Sequence, residues 1–139
     1  MTSAGGFGEL AAVGRSSRLA SAGDVTRLVA LGEESRLASA GSEGYLYAEG
    51  KCSRLVSAGV EEKLYAAGED SVAISAGPYG KVKGKFGCFL GCMEWQSYVK
   101  NGAWHQKPLS FASGLVDGKK IKPDTWYTTK DGQLVEAEE

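Results

Sequence analysis

Three side chains that could do chemistry stand near one another late in the chain: Cys88, Cys92 and His105, the only histidine. Thiolates and a neutral imidazole are zinc ligands, so this trio would fill three places of a tetrahedral site, with Cys52 or a carboxylate as the fourth. A CxxxC without a second pair is a sparse pattern for such a centre. The same histidine would serve as a general base, with Ser110 or a cysteine as the nucleophile. The competing account makes Cys88 and Cys92 small buried residues of a strand pair, cysteine being among the most buried types. Nothing at a suitable spacing completes either constellation. The sequence therefore assigns no catalytic residue, no metal and no cofactor, and the chain reads as not an enzyme.

Basic residues offer a second kind of chemistry. Lys107, Lys119, Lys120 and Lys122 gather around Trp104 and Trp126, a mixture suited to a nucleic acid or a phosphate. The plainer account is the solvated side of a strand pair. Over the whole chain sixteen Lys and Arg meet seventeen Asp and Glu, a net charge of −1, so total charge asks neither for nucleic acid nor for wholesale mimicry of it. Any electrostatic role must come from local patterning.

The elements that position these residues are set by glycine, 20 of 139 residues. After MTSAG the chain divides into GFGELAAVG, RSSRLASAG, DVTRLVALG, EESRLASAG, SEGYLYAEG, KCSRLVSAG, VEEKLYAAG and EDSVAISAG. Glycine returns every ninth residue from Gly5 to Gly77, and leucine holds the fifth place from Leu10 to Leu64. Alternate lines end in SAG, so the structural unit is eighteen residues in two unlike halves. Nine residues are too few for a helical-hairpin repeat, and a glycine at every ninth position would cost a helix about 1 kcal/mol each. Strand plus corner fits. Facing positions three, five and seven inward buries Ser or Thr, Leu, and Ala or Ser; the opposite register would bury Arg18, Arg27, Arg36 and Arg54 unpaired. The glycine is then expected at the corner, for positive φ or close backbone approach. The predicted fold is all-β: a flattened two-sheet β-solenoid, or β-roll, over residues 1–77, with a small C-terminal β cap over 78–139 packed on it or continuing it. Met1 occupies a leucine place, which leaves the first coil poorly capped and is one reason to expect self-association.

The outward positions carry the candidate binding residues. One sheet presents a row of Arg18, Arg36 and Arg54, then Val72, beside small residues such as Ala20, Ala38 and Ala58. Stacked like charges repel and would welcome an acidic ligand. The plainer expectation is that the corner acids Asp24, Glu33, Glu34, Glu61, Glu62, Glu69 and Asp70 neutralise the row. The other sheet presents Val29, Leu31, Tyr45, Tyr47 and Tyr65, apolar for a solvent surface, to be covered by the chain's own C-terminal part, by a second copy or by a partner. In EDSVAISAG the core place becomes Ala73 while Val72 and Ile74 point outward, so the C-terminal segment is expected to pack over that coil and end the stack.

All three Trp and all three Pro lie after residue 77. The stretch GKVKGKFGCFLGCMEWQSYV reads as one or two strands, with Val82 still in the leucine row; further strands are expected over 109–115 and 125–129, then an Asp131-Gly132 turn and a strand over 133–135. The tail 136–139 is expected to fray, and no helix is expected. The opening MTSAGGFGEL has no basic n-region or apolar h-region, and three cysteines close no disulfide framework, so a reduced, intracellular setting and no membrane contact are expected.

The line DSVAISAG resembles the repeat of trimeric autotransporter adhesin heads, whose β-roll coils trimerise through one face. The larger arrangement, the nonapeptides followed by KVKGKFGCFLGCMEW and then GKKIKPDTWYTTKDGQLVE, resembles an uncharacterised family of small β-solenoid proteins from phages and gut or soil bacteria. That resemblance implies a solenoid fold and a mobile-element origin, in the cytoplasm of a bacterial or phage-infected cell or in a virion, and carries no activity. The resulting expectation is a structural or binding module with a homo-oligomeric or other protein partner. One alternative is an inhibitor or scavenger that holds an acidic protein, a nucleotide or a nucleic acid on Arg18, Arg36 and Arg54; another is a small metal- or cysteine-dependent enzyme.

Overall fold

The computed structural model describes residues 2–3 and 8–138; Met1 and Gly5, which the repeat pattern includes, fall outside them. The described residues contain no helix and form two seven-stranded sheets wound as a β-solenoid of about five turns. The first sheet holds β1 (Thr2–Ser3), β3 (Arg18–Ser21), β5 (Arg36–Ser39), β7 (Arg54–Ser57), β9 (Val72–Ser75), β11 (Phe89–Lys100) and β12 (Ala103–Leu115), in that order. The second runs β2 (Gly8–Ala12), β4 (Thr26–Ala30), β6 (Tyr45–Ala48), β8 (Lys63–Ala66), β10 (Lys81–Gly84), β13 (Tyr127–Lys130) and β14 (Gln133–Glu136). Coils pair in parallel with an eighteen-residue offset: Arg18 with Arg36 and Arg54, Leu28 with Leu46 and Leu64, and Leu64 with Val82.

The inward register is the one that keeps arginine in water. Leu19, Leu37 and Leu55 from the first sheet and Leu28, Leu46 and Leu64 from the second are at most 2% exposed and form the core, while Arg18, Arg27, Arg36 and Arg54 are exposed. Burial of each leucine contributes roughly 1.5–3 kcal/mol, and no coil buries its ladder without its neighbours.

The corners divide labour differently from a simple glycine turn. Among the described residues positive φ recurs at the second place of the repeat, at Ser16, Val25, Glu34, Glu43, Cys52, Glu61, Asp70 and Tyr79, with φ between 49° and 59°. That conformation aims the N–H along the stack: Ser16 donates to Glu33 O at 2.8 Å, Glu34 to Lys51 O at 2.9 Å and Cys52 to Glu69 O at 3.1 Å. The ninth-place glycines answer to close approach instead. A Cβ on Gly50 would stand 2.2 Å from Gly32 O, and one on Gly68 would stand 2.0 Å from Gly50 O. Left-handed backbone is expensive for a β-branched residue, and Val25 sits there with φ 49° while 42% exposed. Val25→Asn should therefore raise stability by about 1 kcal/mol, seen as a melting midpoint a few degrees higher. An unchanged or lower midpoint would show that Val25 earns its place by packing.

Parallel pairing runs past Gly77, because β10 joins β8 and the first four residues of β11 join β9. Val72 pairs with Phe89, an offset one residue short, and the shortened corner is turned at Gly87 with φ 81°. The C-terminal segment thus meets the last coil edge to edge, and Val72 and Ile74 stay half-exposed on the outer face instead of being roofed over. Two antiparallel hairpins close the stack. One is β13–β14 through Asp131-Gly132, with φ 53° and 77°; the other is β11–β12 through Asn101-Gly102, with φ 53° and 75°. Both are the positive-φ pairs that a two-residue hairpin demands. The tail is tied down where fraying was expected: Ala137 N donates to Trp126 O at 2.8 Å, and the Lys81 ammonium donates to Glu138 O.

A candidate anion-binding face

Arginine at the fourth place of three successive lines builds a ladder on the outer face of the first sheet, because parallel pairing aligns Arg18, Arg36 and Arg54 as neighbours. At about 4.8 Å per coil, adjacent guanidinium groups repel by several tenths of a kcal/mol in water, a strain that a bound anion relieves. On one side of the ladder lies a shallow apolar trough of about 400 Å³, lined by the arginine stems with Ala20, Ala38 and Val56. On the other lies a polar trough of about 350 Å³, bordered by Ser16, Glu34 and Cys52.

Several of the corner acids expected to neutralise the ladder are held by other groups. Glu34 pairs with Arg15 at 3.1 Å, Glu69 with Lys51 at 3.8 Å, and Asp24 Oδ1 accepts from Ser42 N at 3.4 Å. Among the described residues no ion pair joins Arg36 or Arg54 to an acid. Glu34 borders the polar trough beside the arginines, but its carboxylate is held by Arg15.

Glu62 is no corner acid at all. It occupies a third place, which faces inward, and is 0% exposed. Ser39 Oγ donates to its Oε1 at 2.5 Å and Ser57 Oγ to its Oε2. Glycine in the coil above makes the room, since a Cβ on Gly44 would stand 3.0 Å from Oε1. Burial without a countercharge pushes the Glu62 carboxyl up to about 7, against the smaller downward pull of the Ser39 bond.

The tyrosines of the second sheet are partly occupied by the chain itself. Trp126, only 5% exposed, meets Tyr45 edge-on at 6.2 Å and Tyr65 at 6.3 Å, while Tyr47 meets Tyr65 at 5.4 Å. The Lys83 ammonium lies 4.2 Å from the Tyr65 ring and 4.7 Å from that of Trp126. Tyr65 donates its hydroxyl to Asp124 at 2.6 Å, and burial together with that carboxylate pushes the phenol up to about 12. Val29 is half-buried and Leu31 is 45% exposed, so the outer rim of this face remains open.

The structure does not bring the sequence's chemical candidates together. Cys88 donates to Gly68 O at 3.1 Å and Cys92 to Gly80 O at 3.3 Å, both buried, and burial pushes both thiols up, away from the thiolate. His105 lies farther out on β12, roughly 20 Å beyond the residue opposite Cys92, stacked on Tyr98 at 5.4 Å. Ser110 donates to Glu94 at 2.9 Å. Exposed Cys52 is at a corner, apart from both buried thiols. Among the described residues no three His, Cys, Asp or Glu side chains are grouped to hold a metal. The lysine cluster also divides: Lys107 and Trp104 stand on the β11–β12 ribbon, whereas Lys119, Lys120 and Lys122 follow Asp117 in the loop behind it. Compared with protein-family models, curated proteins and solved structures, the chain matches none.

Proposed function

We propose that the protein is a non-enzymatic binding module that holds an acidic segment of a partner protein along the arginine ladder of its first sheet. The observation that carries this reading is that Arg36 and Arg54 stand exposed between two troughs while, among the described residues, Glu34 is paired with Arg15 and Glu69 with Lys51. An acidic segment would place carboxylates on the guanidinium fork and apolar side chains on the Ala20, Ala38 and Val56 side of the ladder. Glu34, on the polar side, would turn such a segment toward the apolar trough.

The test uses a labelled poly-glutamate peptide as probe. Arg36→Gln with Arg54→Gln should weaken binding about tenfold, and raising salt from 0.05 to 0.5 M should abolish the difference. Lys63→Gln, on the other sheet, is the control and should change little. Equal affinities for wild type and the double variant would sink the proposal.

A further inference from the structure

The β11–β12 ribbon is not wholly part of the solenoid. After the irregularity at Glu94/Trp95, residues 96–109 are exposed on both strands and both faces. A two-stranded ribbon with neither face buried is marginal in water, so this arm does little for the core. Its composition is unlike the rest of the surface. Residues 95–116 contain no Asp or Glu but include Lys100 and Lys107, and residues 78–122 hold eight lysines against two acids, although the chain as a whole is net −1. Its aromatic groups are bare: Trp104 is 77% exposed beside Val99, and on the opposite face Tyr98 lies nearly parallel to His105, at 26°, with the Lys107 ammonium 5.8 Å from the Tyr98 ring.

We propose that this arm binds single-stranded nucleic acid, with bases stacking on Trp104 and on the Tyr98–His105 pair and phosphates held by Lys100 and Lys107. Flat rings offered at two successive cross-strand pairs on opposite faces, with Lys100 and Lys107 on the Tyr98–His105 face, suit unpaired bases on a flexible backbone that wraps the ribbon. Flanking the rings lie Gln96, Ser97, Asn101 and Gln106, whose amides and hydroxyl suit polar base edges and interrupt the continuous apolar face that a lipid surface would need. Duplex is disfavoured because its base faces are already stacked. This surface is separate from the arginine ladder, and either assignment stands without the other.

The probe is a labelled fifteen-residue oligo-dT, followed by anisotropy at 50 and 200 mM salt. Wild type should bind, Trp104→Ala should weaken binding about tenfold, and Trp104→Phe should lie between them. Lys100→Gln with Lys107→Gln should reduce the salt slope by about 1.4. Arg36→Gln with Arg54→Gln should leave the fold-loss caused by Trp104→Ala unchanged, which separates failure of this proposal from failure of the ladder. Absence of binding at 50 mM salt would overturn it, as would equal affinity across wild type and both arm variants. Trp104 emission that shifts to the blue on anionic vesicles but not on oligo-dT would also overturn it, marking the arm as a lipid contact.

Discussion

Alanine at Gly50 should cost about 3 kcal/mol or more of folding stability, whereas alanine at Gly14 should leave it nearly unchanged. The two residues occupy the same place in their nonapeptides, and neither has the left-handed backbone that ordinarily explains a glycine corner. They differ in what lies above them. A Cβ on Gly50 would meet three backbone atoms, Gly32 O at 2.2 Å, Gly32 C at 2.4 Å and Glu33 N at 2.6 Å. None is the movable end of a side chain. Relief requires coils to separate at a corner that is pinned by the Glu34 N–H on Lys51 O at 2.9 Å and by parallel strands on either side. Among the described residues a Cβ on Gly14 would meet only Ser17 Oγ, at 3.6 Å. There the smaller unfolded-state entropy of alanine should offset any local cost. Urea unfolding of the two variants is the measurement, and midpoints equal to each other would refute close stacking as the reason for the glycine period.

That reason was only half legible in the sequence. The period of nine, the pairing of lines into eighteen and the inward leucine follow directly from glycine, SAG and Arg18, Arg27, Arg36 and Arg54, because the alternative register buries charge. Positive φ at the second place was not legible. Its occupants, Ser16, Val25, Glu34 and Cys52 among them, share no side-chain property, since the conformation goes with N–H donation to the next coil. Asn101-Gly102 was in plain view as a two-residue hairpin signal and would have revealed the arm. The Tyr45, Tyr65 and Trp126 cluster was not, because nothing local to Trp126 says which sheet it covers. Glu62 could have been found by counting. A glutamate at an inward third place, where other lines carry Ser, Thr or Gly, conflicts with its own repeat.

Glu62→Gln should stabilise the protein by about 3 kcal/mol at pH 8 and by little at pH 4, and should remove a decline in stability that the wild type shows between them. In the unfolded chain the carboxyl loses its proton near pH 4.3; in the folded chain burial raises it to about 7. Between these values the folded state keeps a proton that the unfolded state has released, so unfolding releases a proton and stability falls as pH rises. The decline is complete above about pH 7, where the ion must be held by the Ser39 and Ser57 hydroxyls in a site that is 0% exposed. Other carboxylates act oppositely and elsewhere. Glu94, Asp117 and Asp124 are held below the ordinary range, chiefly by the Asp131 N–H, the Lys119 N–H and the Tyr65 hydroxyl respectively; their stabilisation is present above about pH 4 and is lost in acid. The variant therefore isolates Glu62. Glutamine keeps the shape, accepts from Ser39 and donates to Ser57, so space between Gly44 and the serine ladder is neither emptied nor crowded. Glu62→Ala would confound the comparison by leaving a cavity and stranding both hydroxyls. Urea unfolding of wild type and Glu62→Gln at half-unit steps from pH 4 to 8.5 gives the difference curve directly. A carbon-detected titration of the Glu62 carboxyl should turn over near pH 7 in the same window. Parallel stability curves for the two proteins, with the carboxyl titrating near pH 4.3, would mean that water reaches Glu62 and that the coil at Gly44 opens to admit it.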